Sequence, residues 1–258
     1  MRGLALLALA GFILLPLLQA VILSFTSTLP DGEVAQGTMG LMNYRAVLAT
    51  PELRAAMVNS GIYVSLNVAL CIAVGLPAAY ALARYRFTGD RHFLLAILVF
   101  RVTPPVVLSL PIFILFSQFG LVNSPIGIAL VHCLFNLPVA IWILESFIRA
   151  VPREFDETAF LDGHSGLSYF FRHLIPQIAP GIGVAAFFCF IFSWVEVVFA
   201  RILTVTGGKP ITMAIQAMFS FQTDIGMVMA MTCLSLLPGV AMIWFVRGHL
   251  ARGFTLRA

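Results

Sequence analysis

Long apolar runs constrain this chain more than any other feature. A spanning helix takes roughly 20 predominantly apolar residues. Six stretches qualify: about Leu4 to Phe25, Ser60 to Ala83, Phe93 to Phe116, Pro125 to Phe147, Pro180 to Ala200 and Ile225 to Val246. Overall the chain is 60% hydrophobic and 10% charged. A soluble domain averages about a quarter charged residues, and this chain lacks the polar surface to cover a core in water. Soluble enzymes, disordered chains and disulfide scaffolds are therefore disfavoured. Porin-type barrels are disfavoured too, because their strands alternate apolar and polar residues. The fold class expected is all-α: a polytopic membrane protein with six transmembrane helices, one domain over residues 1–258.

Charge then orients the spans. The first apolar run exceeds the core of about 7–15 residues found in a signal peptide, so it reads as an uncleaved span. With the amino end inside, the inner segments hold Arg2, Arg84, Arg86, Arg91, Arg149, Arg153, Arg172, Arg247, Arg252 and Arg257. The outer segments hold only Arg45, Arg54, Arg201 and Lys209. Arginine and lysine collect on the cytoplasmic side, so both termini are expected there. The net charge of +4 is thus a topological signal; the charges are too scattered for a nucleic-acid face. Ile211 to Phe221 is apolar but too short to cross, and reads as an interfacial or re-entrant piece. Pro77, Pro104, Pro105, Pro111 and Pro138 fall within spans. Each removes a backbone donor. Such breaks fit either plain bundle packing or helices bent around a pathway.

Between the fourth and fifth spans, Arg149 to Ala179 forms an inner loop holding Glu154, Asp156, Glu157 and Asp162. Pro152 suits a first helical turn, and the acids suit the positive end of a helix. Gly163 suits a stop in left-handed backbone. Ser165 can cap a second helix that Pro176 ends. Helix, tight turn, helix is predicted. Phe155, Thr158, Ala159 and Asp162 share one face of the first helix. Leu167, Phe170, Phe171 and Leu174 form a stripe suited to packing under the bundle.

The run Pro152-Arg-Glu-Phe-Asp-Glu-Thr-Ala-Phe-Leu-Asp-Gly-His-Ser, followed by Phe170, Arg172 and Pro176, resembles the EAA loop of binding-protein-dependent ABC importer permeases. Glu157 matches the family's glutamate, Ala159 its second alanine, and Asp162, Gly163 and Ser165 its D-G-x-S. Thr158 and His164 replace alanines. Asn43-Tyr44, Asn59-Ser60, Ala79 to Arg84, Pro104-Pro105, Gly120 to Asn123 and Ser193-Trp194 extend the resemblance to the carbohydrate, maltose-transporter-like branch. The tail Arg252 to Ala258 departs from the longer G-A-V-K-G-like end of maltose-type relatives.

The resemblance implies a permease subunit in the bacterial inner membrane. Its partners would be a second permease, two ATPase subunits and an extracytoplasmic solute-binding protein. Arg153 to Leu161 would be the coupling helix that docks in a groove of an ATPase, with Glu157 its polar anchor and Gly163 its bend. Glu157, Thr158, Ala159, Asp162, Gly163 and Ser165 are the coupling residues so implied. The chain itself is not expected to be an enzyme or to hold a cofactor. It has no G-x-x-x-x-G-K-S/T phosphate loop, so ATP and magnesium belong to the partner. The solute expected is a sugar or polyol.

Inside the membrane, Arg101 and Glu196 are the deepest charges. A buried charge needs a partner, an interior cavity or a route to the interface. The residues leave open an ion pair of Arg101 with Glu196 or Glu145, or a place on the solute path. His132, with Asn136 one turn on, reads as a hydrogen-bonded packing histidine. Cys71, Cys133, Cys189 and Cys233 read as small apolar side chains. The other histidines show no metal spacing. A self-sufficient secondary transporter would need a coupling-ion site and usually an inverted repeat. A membrane enzyme would need clustered acid–base or metal groups. Neither pattern is present.

Overall fold

The computed structural model describes residues 2–28, 34–85, 89–219 and 224–255. Arg86, Arg257, Phe221 and the last three tail residues, which entered the expectations above, lie outside them. In order the elements are α1 (Arg2–Phe25), β1 (Thr26–Thr28), β2 (Val34–Met39), α2 (Met42–Ala49), α3 (Pro51–Arg84), α4 (Asp90–Val102), α5 (Pro105–Gln118) and α6 (Pro125–Ala150). There follow α7 (Arg153–Leu161), α8 (Gly166–Tyr169), a π-helical turn (Phe170–Leu174), α9 (Ile175–Gln177), α10 (Ala179–Trp194), α11 (Val198–Leu203), α12 (Ile211–Met218) and α13 (Ile225–Thr255). The chain is helical as expected, with one short two-stranded ribbon beside the helices. β1 and β2 pair antiparallel, Thr26 opposite Met39 and Thr28 opposite Val34. No alternating apolar run announces this ribbon, which is too short to carry one.

Apolar length supports membrane crossing directly. Three helices, Pro51–Arg84, Pro125–Ala150 and Ile225–Arg247, are each long and apolar enough to span. Gly166–Gln177 and Ala179–Trp194 qualify as a pair bent by 77°. The expected third span is two helices, because successive prolines interrupt it: α4 stops at Val102 and α5 restarts at Pro105. Neither Pro104 nor Pro105 has an N–H to give. Pro77 and Pro138, by contrast, sit inside unbroken helices. Along α1 and α13, large apolar side chains such as Phe12, Leu15, Leu237, Val240 and Trp244 are exposed. Water would penalise so much open apolar surface, whereas lipid or another apolar chain would not.

The chain divides into two compact units, residues 1–60 with 208–240 and residues 61–207 with 241–258. In the first, Asn43 ties the helix–ribbon junction by donating to the carbonyls of Ser24 (3.0 Å) and Thr26 (2.8 Å). Gly226 lies against the same amide; a Cβ there would meet Asn43 Nδ2 at 2.5 Å. Ser60 Oγ accepts the first amide of α12, Ile211 N–H, at 2.8 Å.

The second unit holds the main core. Its larger cluster joins Cys71, Leu76 and Leu82 of α3 to Ile141, Leu144 and Ile148 of α6 and Ala185 and Cys189 of α10. Ala159, Tyr169 and Leu174 belong to that same cluster, so the α7–α8 segment is part of the core. Close helix approach sets the α6–α10 contact: a Cβ on Gly181 would come within 2.4 Å of Phe147 Cγ. Small residues serve this purpose in bundles, where dispersion and close contact hold helices together. A second cluster gathers Ile128, Val131 and Phe135 of α6 with Phe199 and Leu203 of α11.

Candidate functional site

The first candidate is the segment linking α6 to α10. Helix α7 spans Arg153–Leu161, as predicted, with Glu154 and Asp156 in its first turn. It ends as glycine permits. Gly163 adopts φ +83°, its N–H reaches Phe160 O at 3.1 Å, and His164 N–H reaches Ala159 O at 3.0 Å. These two bonds satisfy carbonyls that the helix end would leave open. Ser165 then caps α8, its Oγ accepting Ser168 N–H at 3.3 Å. His164 Nδ1 meets Ser168 Oγ at 3.2 Å, and its ring lies edge-on to His173 at 4.6 Å.

One buried carboxylate locks this segment to the bundle. Asp156 Oδ2 is 2.6 Å from Arg84 Nε, and Oδ1 accepts from Arg84 Nη2 at 3.0 Å. The Tyr169 hydroxyl donates to the same Oδ1. Burial and the adjoining Asp156 charge push the Tyr169 phenol above its ordinary value. Arg153 Nη2 adds a bond to Arg84 O at 3.3 Å. Along the sequence Asp156 shows only a role at the positive end of a helix. Its partners lie 72 residues before and 13 after it, beyond any local signal.

The other side of the segment is open. Glu157, Thr158, Asp162 and Gly163 are exposed, and only Ala159 of the implied coupling residues is buried. Thr158 Oγ1 donates back to Glu154 O at 2.7 Å. Around them Phe155, Phe160, Leu161 (88% exposed), Leu167 (74%) and Phe171 stand out. The expected packing stripe therefore splits: Leu174 is buried and Phe170 packs on the core, while Leu167 and Phe171 face away. The π turn supplies the reason. Its wider winding shifts the register between Leu167 and Leu174, so the four no longer share a face. Tyr169, fully buried, takes the inward position.

The second candidate is a cavity of about 260 Å³ where two helix breaks meet. Arg101, in the last turn of α4, and Pro105 approach it from one break; Phe192, Glu196 and Phe199 approach it from the gap between α10 and α11. His132, Phe135 and Asn136 of α6 complete the wall. The expected ion pair of Arg101 with Glu145 or Glu196 is not formed. Among the described residues, Arg101 Nη1 donates to Phe135 O at 2.9 Å and Asn136 Oδ1 at 3.2 Å. The guanidinium lies 4.0 Å over the Phe192 ring. Glu145 is nine residues beyond Asn136, roughly 13 Å along the helix, and pairs with Arg149 instead. Glu196 turns to α11, accepting Phe199 N–H at 2.9 Å and Ala200 N–H at 3.1 Å. These are amides a helix start leaves unpaired.

His132 bridges the same elements. Its Nε2 is 3.3 Å from Glu196 Oε2 and its Nδ1 is 2.5 Å from Ser193 Oγ. A carboxylate only accepts, so Nε2 carries a proton and the ring is hydrogen-bonded on both sides. Asn136 Nδ2 donates to Asn67 Oδ1 at 2.9 Å and to Cys189 O at 3.4 Å. Asn67, fully buried in α3, was not singled out from sequence; it donates to Ala129 O at 3.3 Å. An asparagine inside an apolar run was the available signal. Four cysteines are free thiols, with Cys71 and Cys133 sulfurs 3.6 Å apart beside Asn67. No group of three or more His, Cys, Asp or Glu able to hold a metal ion occurs among the described residues.

Known proteins resemble this chain along nearly its whole length. The family model described as "Binding-protein-dependent transport system inner membrane component" matches residues 72–253. The trehalose transport system permease protein SugB of Mycobacterium tuberculosis is 30% identical over 95% of this chain and 92% of its own length. The trehalose/maltose transport system permease protein MalG of Thermococcus litoralis is 27% identical over 95% and 91%. In the crystal structure of a bacterial ABC transporter involved in the import of the acidic polysaccharide alginate, one chain has the same fold. Its TM-score is 0.81 at 19% identity, covering 96% of this chain and 94% of that one.

Proposed function

The chain belongs to the family of binding-protein-dependent transport system inner membrane components, and from that premise we propose how it works. It is a permease subunit of an ATP-driven, binding-protein-dependent importer, a transport subunit and not an enzyme. Its relatives' names and fold support a sugar or polyol as solute. ATP and Mg²⁺ are bound and turned over by a separate ATPase pair. A second permease and an extracytoplasmic solute-binding protein complete the assembly. In this reading residues 1–258 make one membrane domain of six crossings, with both termini in the cytoplasm. The third crossing consists of α4 and α5, and α7 and α8 lie along the inner face.

One observation carries the mechanism: the α7–α8 segment is held rigidly on one side and left apolar and unpaired on the other. Asp156 and Tyr169 weld it to Arg84 at the end of α3, while Phe155, Leu161, Leu167 and Phe171 are exposed. An exposed apolar patch rimmed by acids marks a docking surface. A lever must not bend where it joins the load. When the ATPases close on ATP, α7 moves with its groove, and the core cluster passes that motion to α3, α6 and α10 as a rigid body. The helix breaks at Pro104–Pro105 and between α10 and α11 are where the pathway can switch its opening.

Glu157→Lys and Gly163→Pro test this in the assembled importer reconstituted in vesicles. Both are expected to abolish binding-protein-stimulated ATP hydrolysis or ATPase attachment, with the permease still inserted. Full stimulation in both variants removes α7 from the coupling role.

A further inference from the structure

The cavity beside Arg101 has an unusual balance of hydrogen-bonding capacity. Arginine carries five N–H donors. Two, both on Nη1, are used on Phe135 O and Asn136 Oδ1. The three on Nε and Nη2 have no partner among the described residues. The neighbouring polar groups are already engaged. Asn136 gives its amide hydrogens to Asn67 and Cys189 and its oxygen to Arg101. Glu196 accepts two backbone amides and His132, and His132 has Ser193 on its other nitrogen. Whatever enters must therefore bring acceptor oxygens, because the capacity left over is donor capacity.

The walls add a second requirement. Phe135 and Phe199, rings 5.2 Å apart, and Pro105 present apolar surface beside the guanidinium. Acceptor oxygens around the rim of a compact body with apolar C–H faces describe a sugar ring. The volume, about 260 Å³, falls just below the roughly 300–1,000 Å³ of pockets that enclose drug-sized ligands. It accommodates one ring or the end of a longer saccharide. The elements meeting here are those that break within the bundle, so a solute held at this point feels the helices that move.

We propose that this cavity is a solute-contacting station of the transport pathway, in which Arg101 donates to the oxygens of one carbohydrate ring and the phenylalanines pack on its faces. The proposal rests on the importer reading above and assigns that function a site within this subunit.

The test uses the complete importer in proteoliposomes with its binding protein, and radiolabelled trehalose and maltose as probes. Uptake is measured per ATP hydrolysed. Arg101→Gln is expected to lower uptake of the transported sugar roughly ten- to a hundredfold, the range for losing hydrogen bonds from a charged donor. Binding-protein-stimulated ATP hydrolysis is expected to persist. Arg101→Lys keeps the charge but loses the planar fork, and is expected to alter the trehalose-to-maltose ratio, which a purely structural role would leave unchanged. Wild-type ratios and uptake per ATP in both variants overturn the station and leave the importer intact. If Arg101→Gln fails to assemble, the ratio in Arg101→Lys decides alone. Where the wild-type importer moves neither, the same measurements use the sugar or polyol its binding protein binds; a binding protein that binds no sugar or polyol overturns the carbohydrate reading and this proposal with it.

Discussion

Arg84 and Arg101 pose the same problem at two places and are answered differently. Arg84, at the end of α3, receives a carboxylate: Asp156 meets it through both oxygens, with Tyr169 donating to one of them. Arg101, at the end of α4, receives a carbonyl, an amide oxygen and the face of a phenylalanine, and keeps spare donors. A carboxylate cancels the charge and fixes the geometry; neutral acceptors orient the guanidinium without neutralising it. The first arrangement makes a joint that must not move. The second leaves a cation prepared for something that arrives.

That contrast predicts unequal responses to mutation. Asp156→Ala removes one member of a buried pair and strands the other, a change that costs about 3–5 kcal/mol. Thermal unfolding of the solubilised complex should show it together with loss of ATPase attachment. A shift of under about 1 kcal/mol would mean that Arg84 finds water and that the joint is no lock. Tyr169→Phe keeps the ring and loses a hydrogen bond to a charged acceptor, for a cost of about 1.5–3 kcal/mol. Because the folded state raises the phenol's pKa, its stabilisation is complete below the ordinary tyrosine value near 10 and declines as pH rises through the folded value. Alkaline titration should therefore destabilise the wild type, and the Phe variant should lack that component. The smallest of these effects belongs to Gly163→Ala. Nothing lies within 4 Å of a Cβ there, so only the left-handed backbone resists, at about 1–2 kcal/mol. Its stability loss should come without loss of insertion, and a larger one would reveal packing at the turn.

Local signals made much of the first site legible. Pro152, the acids after it, Gly163 and Ser165 bounded α7 and marked the start of α8 because caps and φ preferences act within a few residues. Pro176, expected to end the second helix, instead lies in the first turn of α9, after α8 has already given way to the π turn at Phe170. The outward turn of Leu167 and Phe171 was not legible, since it depends on a π turn seated against Tyr80 and Tyr169. Pro104 and Pro105 announced a kink, yet the same residue type at Pro77 and Pro138 left helices whole. Whether a proline breaks a helix depends on what surrounds the freed carbonyls. The partners of Arg101 are not legible in the sequence for a related reason. Charge sought charge in one dimension, while Asn136 and the Phe135 carbonyl were closer in three.

By itself the sequence determined a helical membrane chain, the limits of helix α7 and the family it joins. Apolar length, charge bias and capping are properties of neighbouring residues, so they can be read along the chain. Only the tertiary structure decided that Asp156 locks the segment, that Glu145 turns away, and that two broken helices enclose a donor-rich cavity. Those depend on which distant groups meet after burial, when each polar atom must find a partner in a medium without water.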